Sequence, residues 1–446
     1  METRGQNKFT LFYLLYFIFL NIILTTDVGF TAPLIAKIAL YFGVERIYVS
    51  WLISIMAIAS AAFLPVWGVI ADIVNRVKLI FIIVLSGAFV SFLTIFTISF
   101  HADFWIFGVM RFLAVVINAS LGPAVFSLLV DLVPSKNRGA VIGWMGIAGT
   151  AAVGLGYIVS GIIPPLIYGS DFPLEFPFWF DFFAGLFFCG LTFRLKEPKR
   201  GGTDEGLREL YEKGETYTYT LTFDGALDFF RNPLNRKMFV FQFLIFTVNT
   251  MLGTYFITFL EVQHGREPMF GTIWMFIIFG IQLVGQIYWG GQGDKNFREK
   301  KDGRLLTMIK SSSIALCFLI PVFLVPFNFN GGVGLFYLFA LILAIGSFFG
   351  VGVNPNSGVV VADLNFPEVR ATVNSLMFLA HTAALAISAP LFVTIAESTP
   401  LNYSGTYFMY ISICLPLALL ILLSMRKSII PGIEKIQVEL QRRTEF

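Results

Sequence analysis

The chain has 446 residues, of which 57% are hydrophobic and 13% charged, with a mean hydropathy of +0.78. A soluble domain keeps about a quarter of its residues charged, so this composition excludes a water-soluble protein and makes lipid the solvent. The net charge of +3 decides little; the placement of the charges decides more.

About 20 consecutive apolar residues cross the hydrocarbon, and backbone in lipid must satisfy its own hydrogen bonds, so long apolar runs read as helices. The alternation of a β-barrel is absent. In chain order the runs fall at 10–42, 47–71, 77–100, 104–132, 138–168 and 176–195, then at 238–261, 269–292, 305–327, 332–362, 371–396 and 405–425. They predict an all-α membrane protein of twelve transmembrane helices in two six-helix bundles. The N-terminal bundle covers 1–195, a linker 196–237, the C-terminal bundle 238–425 and a tail 426–446. The opening "METRGQNKFT" leads into a run too long for a signal-peptide core, so that run reads as the first span. Within the linker, "EPKRGGTDEGLRELYEKGETYTYT" is charged and Gly-punctuated, hence exposed. "FDGALDFFRNPLNRK" has the apolar spacing of a short amphipathic helix lying on the membrane face and ending at a proline; a regulatory docking site is the alternative.

Most of the 31 Lys and Arg lie at the N-terminus, in the even-numbered loops and in the tail, whereas Arg46 and Arg266 lie on the opposite side and Lys37 and Arg111 within spans. By the positive-inside rule both termini, the linker and the tail face the cytoplasm, as expected for a multi-pass protein of the plasma membrane. Cys189, Cys317 and Cys414 stand singly in apolar runs and suggest neither a disulfide framework nor a metal site. No Gly-x-x-x-x-Gly-Lys-Ser/Thr phosphate loop is present, and no clustered nucleophile or paired catalytic carboxylates point to an enzyme. Neither cofactor nor nucleic-acid partner is expected, and the chain is expected to be a monomer surrounded by membrane lipids.

Charged groups inside spans are costly and commonly functional. Asp27, in "NIILTTDVGFTAPLIAK", has no charged neighbour for nine residues on either side. Arg111 in the fourth span is its best partner. The pair is either a static structural contact or a site that exchanges protons while Arg111 holds an anionic solute group. Glu261, at the outer end of span seven, serves a mouth or simply meets water, and His381 in span eleven is a proton relay or a satisfied core residue. Asn118, Gln242 and Asn249 line a path or bond to neighbouring helices.

Two patterns repeat in order. "WGVIADIVNR" from Trp67 and "WGGQGDKNFR" from Trp289 close the second and eighth spans, sharing Trp-Gly-x-x-x-Asp-x-x-x-Arg. Pro123, Asp131 and Arg138 match Pro355, Asp363 and Arg370 at identical spacing. The chain is therefore a duplication whose halves have the same orientation. Gly68 and Gly290 allow close helix approach, Asp72 and Asp294 can accept from a helix N-terminus, and Arg76 and Arg298 are expected to pair with Asp131 and Asp363. Together these groups form an expected cytoplasmic latch.

With these motifs the sequence resembles the major facilitator superfamily, whose loop between spans two and three carries such a tag, matched here by Gly68, Asp72, Arg76 and Lys78. A narrower resemblance is to the Spinster-like lysolipid transporters, through Asn21 and Asp27 in span one, "NR" at Asn75, Arg111, Ala119, Asp131 and Arg138, "GLGY" from Gly154 and "EPKRG" from Glu197. It departs at Val28, Phe112, Val115, Ile117 and Asn118. The resemblance implies a secondary transporter working by alternating access and carrying a lysolipid or another small amphiphilic or anionic solute; coupling to protons is expected at Asp27. Carriers of drugs, sugars or organic acids are alternatives, as is a non-transporting receptor or scaffold.

Overall fold

The computed structural model describes residues 2–132, 135–197, 231–324, 333–365 and 370–444. They separate into two compact units, Met1–Tyr219 and Thr220–Phe446. No strand occurs among the described residues.

The first unit holds α1 (Glu2–Phe42), α2 (Arg46–Ile73), α3 (Arg76–Ser99), α4 (Phe104–Asn118), α5 (Leu121–Leu132), α6 (Ser135–Gly161), α7 (Ile163–Tyr168) and α8 (Phe176–Thr192). The second holds α9 (Pro233–His264), α10 (Pro268–Glu299), α11 (Gly303–Leu324), α12 (Val333–Gly350), α13 (Asn354–Asp363), α14 (Arg370–Ser398), α15 (Asn402–Met425) and α16 (Ile429–Thr444). Among the described residues ten spans are long and apolar enough to cross a membrane, and Phe104–Asn118 and Phe176–Thr192 are shorter apolar helices at the fourth and sixth expected positions. The twelve-helix pattern is thus present in a multi-pass membrane protein. The expected amphipathic linker helix spans 223–237, of which 223–230 lie outside the described residues. Pro233 opens span seven instead of stopping a helix: Asn232 Oδ1 accepts from Leu234 N at 3.0 Å, and proline suits the first turn, where its missing N–H costs nothing.

Spans four and ten are each broken near their middle. The repeated prolines explain why: Pro123 and Pro355 offer no N–H to the carbonyls of Ala119 and Val351 four residues earlier. The helix stops at Asn118 and resumes at Leu121 in one half, and passes through a 3₁₀ turn at Val351–Val353 in the other. Val351 O accepts instead from Asn354 N, and side chains bond other carbonyls around the breaks. Trp67 Nε1 donates to Val116 O at 2.8 Å, and Asn356 Nδ2 donates to Gly352 O and Trp289 O, both at 3.0 Å. The tag tryptophans therefore face the breaks in both halves, one through its ring and the other through its carbonyl.

In the first unit α1 packs chiefly along α6, and α3 along α8. The α1–α6 crossing is backbone on backbone: a Cβ on Gly29 would stand 2.4 Å from Val153 O, and one on Gly156 would stand 2.3 Å from Thr26 O. Without a hydrophobic force between helices in lipid, such close small-residue packing holds them together. It also fixes the rotation of α1 about Asp27.

Candidate functional site

Asp27 on α1 and Arg111 on α4 are each 3% exposed, and Arg111 Nη2 donates to Asp27 Oδ1. Each brings an aromatic from its own helix face: Phe30 lies three residues beyond Asp27, and Phe107 four before Arg111. Phe178 of α8 closes the wall, its ring 6.1 Å from Phe30, 6.2 Å from Phe107 and 5.0 Å from the Arg111 guanidinium carbon. The surroundings are apolar, so attraction between the charges is poorly screened. Arg111 is the single charged residue lining an apolar crevice that also includes Thr31, Leu34 and Met56.

One turn beyond Phe178 stands Asp181, which sequence reasoning missed. It is 8% exposed and lies within electrostatic range of both Asp27 and Arg111. Ser91 Oγ donates to its Oδ2 at 3.5 Å, while Asp181 Oδ1 and Arg111 Nη1 have no partner among the described residues. The buried set is thus two carboxylates around one guanidinium, contributed by spans one, four and six. A lone acid inside "FPFWFDFFAGLFF" was the signal available.

The other expected groups divide. Asn21 is a helix tie, donating from Nδ2 to Met145 O at 3.3 Å and accepting from Thr25 Oγ1 at 3.1 Å. Asn118, the last residue of α4, keeps a buried Oδ1 without a partner. In the second unit Gln242 Nε2 donates to Ser357 Oγ at 2.9 Å, and His381 stacks on Phe246 with planes 12° apart. Asn249 is partly buried on α9, and Glu261 lies near that helix's end at His264.

At the tag ends, Arg76 is buried, and its Nε donates to Glu197 Oε1 at 2.7 Å. The other oxygen of Glu197 accepts from Val77 N at 3.0 Å, so one carboxylate both pairs with the arginine and caps α3. Gly68, Asp72, Asp131, Arg138 and Arg370 lie outside the described side chains.

In the second unit the expected pairing of Arg298 with Asp363 is replaced. Arg304 donates from Nη1 to Asp363 Oδ2 and from Nη2 to Asp294 Oδ1, both at 2.8 Å, and its guanidinium carbon lies 3.9 Å from the Phe297 ring centroid. Arg298 is exposed and has no ion-pair partner among the described residues. The reason is an extended helix. The first tag breaks at Val74, with Asn75 capping α3 through Lys78 N at 2.9 Å, whereas α10 runs through the second tag to Glu299. Arg298 is carried past the bundle end, and Arg304, in the first turn of α11, takes the place that Arg76 holds at the start of α3. The close approach also moves from Gly290, whose Cβ would meet Pro355 at an ordinary 3.4 Å, to Gly293, where a Cβ would stand 1.6 Å from Asn356 Oδ1.

The sequence matches the model of the Major Facilitator Superfamily over residues 17–389. No curated protein matches the chain in sequence. Among solved structures it is similar to a bacterial homologue of the human lysosomal transporter Spinster in an inward-facing, unoccupied conformation, with 15% identity over 96% of this chain and 98% of that one and a TM-score of 0.67. It is also similar to a D-xylose–proton symporter, with 12% identity over 92% and 97% and a TM-score of 0.69, and to a nucleoside transporter, with 15% identity over 93% and 99% and a TM-score of 0.64. These likenesses are of fold. With the family model covering most of the chain, the protein belongs to the Major Facilitator Superfamily and is a membrane transporter, not an enzyme.

Proposed function

We propose that the protein is a proton-coupled secondary transporter that moves a small amphiphilic or anionic solute, such as a lysolipid, by alternating access, from a plasma membrane in which both termini face the cytoplasm. The observation that carries this reading is the buried set of Asp27, Arg111 and Asp181. Two ionised carboxylates around one guanidinium leave one negative charge unmatched where solvent cannot screen it. A proton on either carboxylate removes that charge. Arg111, released from a protonated Asp27, can then turn its fork to an anionic group of the solute, with its unpartnered Nη1 already available. The Asp27 carboxylate and the solute thus compete for one guanidinium, and a proton on Asp27 decides between them, which links the movements of proton and solute through a two-state element.

The repeated clamps at Arg76 and Arg304 serve as the latch in this reading: they hold helix ends together and open when that face is exposed. The lysolipid assignment is supported by the Spinster-like motifs of the sequence, while the similar fold of the Spinster homologue supports a transporter architecture alone.

The test is uptake into proteoliposomes, with and without an inward proton gradient, of a fluorescent lysophosphatidylglycerol whose leaflet is read by dithionite quenching, and of radiolabelled D-xylose. Gradient-driven accumulation of the lysolipid that is lost in Asp27→Asn is the expected result. Equal accumulation by wild type and Asp27→Asn under the gradient removes the coupling, and accumulation of xylose alone replaces the lysolipid.

A further inference from the structure

The second unit contains buried polar atoms that the proton-coupling cluster does not use. Gln242, 4% exposed on α9, donates through Nε2 to Ser357 Oγ, and Ser357 Oγ spends its own hydrogen on Asn354 O at 3.0 Å. That second bond fixes the first: the serine hydroxyl has no hydrogen left to offer, so the Gln242 amide points its N–H at Ser357 and turns its carbonyl oxygen away. Gln242 Oε1 is left buried without a partner among the described residues, as are Asn354 Oδ1 at the break of span ten and His381 Nε2 on α14. Phe246, one turn along α9 from Gln242, stacks on His381 and so brings the ring to the same face. Spans seven, ten and eleven thus each hold one such polar atom, linked through Ser357 and Phe246 near the break of span ten.

Buried acceptors without donors cost free energy, and a fold retains them where some other state supplies the partner. Their chemistry restricts what the partner is. Two are amide oxygens, which accept only. No Asp, Glu, Lys or Arg occurs in 238–260, 333–362 or 371–396, so a cation would find no counter-ion, and an anion would meet carbonyl dipoles of the wrong sign. What remains is an uncharged donor. Interrupted spans at matching positions of two repeats are where transporters of repeated architecture place solute.

We propose that Gln242, Asn354 and His381 form a solute subsite for an uncharged hydroxyl-bearing group, the chemistry shared by a free polyol or sugar and by the glycerol headgroup of an amphiphile. This rests on the chain being a solute carrier, and it is independent of proton coupling.

The experiment is equilibrium binding to purified protein at constant pH with no gradient, using D-xylose, 1-oleoyl-lysophosphatidylglycerol and, as a hydroxyl-free anionic amphiphile, dodecyl phosphate. Gln242→Met, which keeps the volume and removes the acceptor, is expected to weaken a hydroxyl-bearing probe about tenfold and to leave dodecyl phosphate unchanged. His381→Phe should act in the same direction and serves if Gln242→Met does not fold. A loss confined to the lysolipid identifies the headgroup as the source of the hydroxyl; a loss confined to xylose identifies a free polyol. Equal effects on all three probes, no effect on any, or no binding of either hydroxyl-bearing probe by the wild type overturns the subsite. Retained hydroxyl selectivity in a protein whose uptake ignores the proton gradient would leave the subsite standing and remove the coupling instead.

Discussion

Arg111 is the residue on which most depends, because it pairs with one buried carboxylate, Asp27, and lies within electrostatic range of a second, Asp181. Replacing Asp27 by Asn keeps shape and leaves Asp181 within range of the guanidinium, so the fold should tolerate it. Replacing Arg111 by Leu leaves two carboxylates in an aromatic cage without a cation, and removing one partner of a buried ion pair costs about 3–5 kcal/mol. The expected outcome is a much lower thermal midpoint for Arg111→Leu than for Asp27→Asn, measured in detergent at neutral pH; equal midpoints would mean that the guanidinium is not what neutralises the pair. Arg111→Lys should fold but fail to bridge, since an ammonium lacks the fork that reaches a carboxylate and a second acceptor at once. Asp27 and Arg111 were legible because each is a lone charge in a long apolar run. Asp181 was equally lone, but the pairing of Asp27 with Arg111 already balanced one charge against one, and nothing in the linear sequence says that the sixth span brings a second acid to the same arginine.

At the scale of elements the α1–α6 crossing and the two breaks matter most. Gly156→Val would press a branched side chain into the backbone of α1 at Thr26, where overpacking costs about 1–3 kcal/mol. A lower thermal midpoint, with weakened lysolipid accumulation because Asp27 turns with its helix, is expected; unchanged stability would show that α1 and α6 are not in backbone contact there. Pro355→Ala restores an N–H facing Val351 O and should let the helix run through the break, slowing amide exchange at 351–355 and reducing transport. Exchange as fast as in the wild type would mean that the proline is not the cause of the interruption. In the clamp of the second unit, Arg304→Ala should increase the labelling of cysteine probes at the bundle end and change the thermal midpoint little, because Asp294 is 57% exposed and its half of the pair is screened by water. The same labelling in wild type and variant would deny the clamp its role. Helix positions were legible from apolar runs, whereas the interruptions were not, since proline inside a span is tolerated when side chains such as Trp67 and Asn356 bond carbonyls around the breaks. Arg304 was hidden by register: ten residues separate it from Asp294 where four separate Arg76 from Asp72, so matching the tags letter by letter selected Arg298.

For the whole molecule, duplication is the organising fact. The same tag, the same proline break and the same arginine at the start of the third span recur in both halves, yet their charges differ. The first half concentrates Asp27, Arg111 and Asp181 in its interior; the second keeps only neutral polar groups around Gln242 and Asn354. The two proposals together assign protons and anions to the first half and hydroxyl groups to the second. The family was legible from the repeated tag, because a turn of this kind is written in a few residues. The cargo was not, because selectivity lies in side chains brought together from separate spans. The most direct measurement of the central claim is solute-evoked proton movement, read with a pH-sensitive dye inside proteoliposomes when lysophosphatidylglycerol is added outside. The account predicts a change in luminal pH for the wild type and none for Asp27→Asn; lysolipid transport by the wild type with no change in luminal pH, or an equal change in the variant, would contradict it.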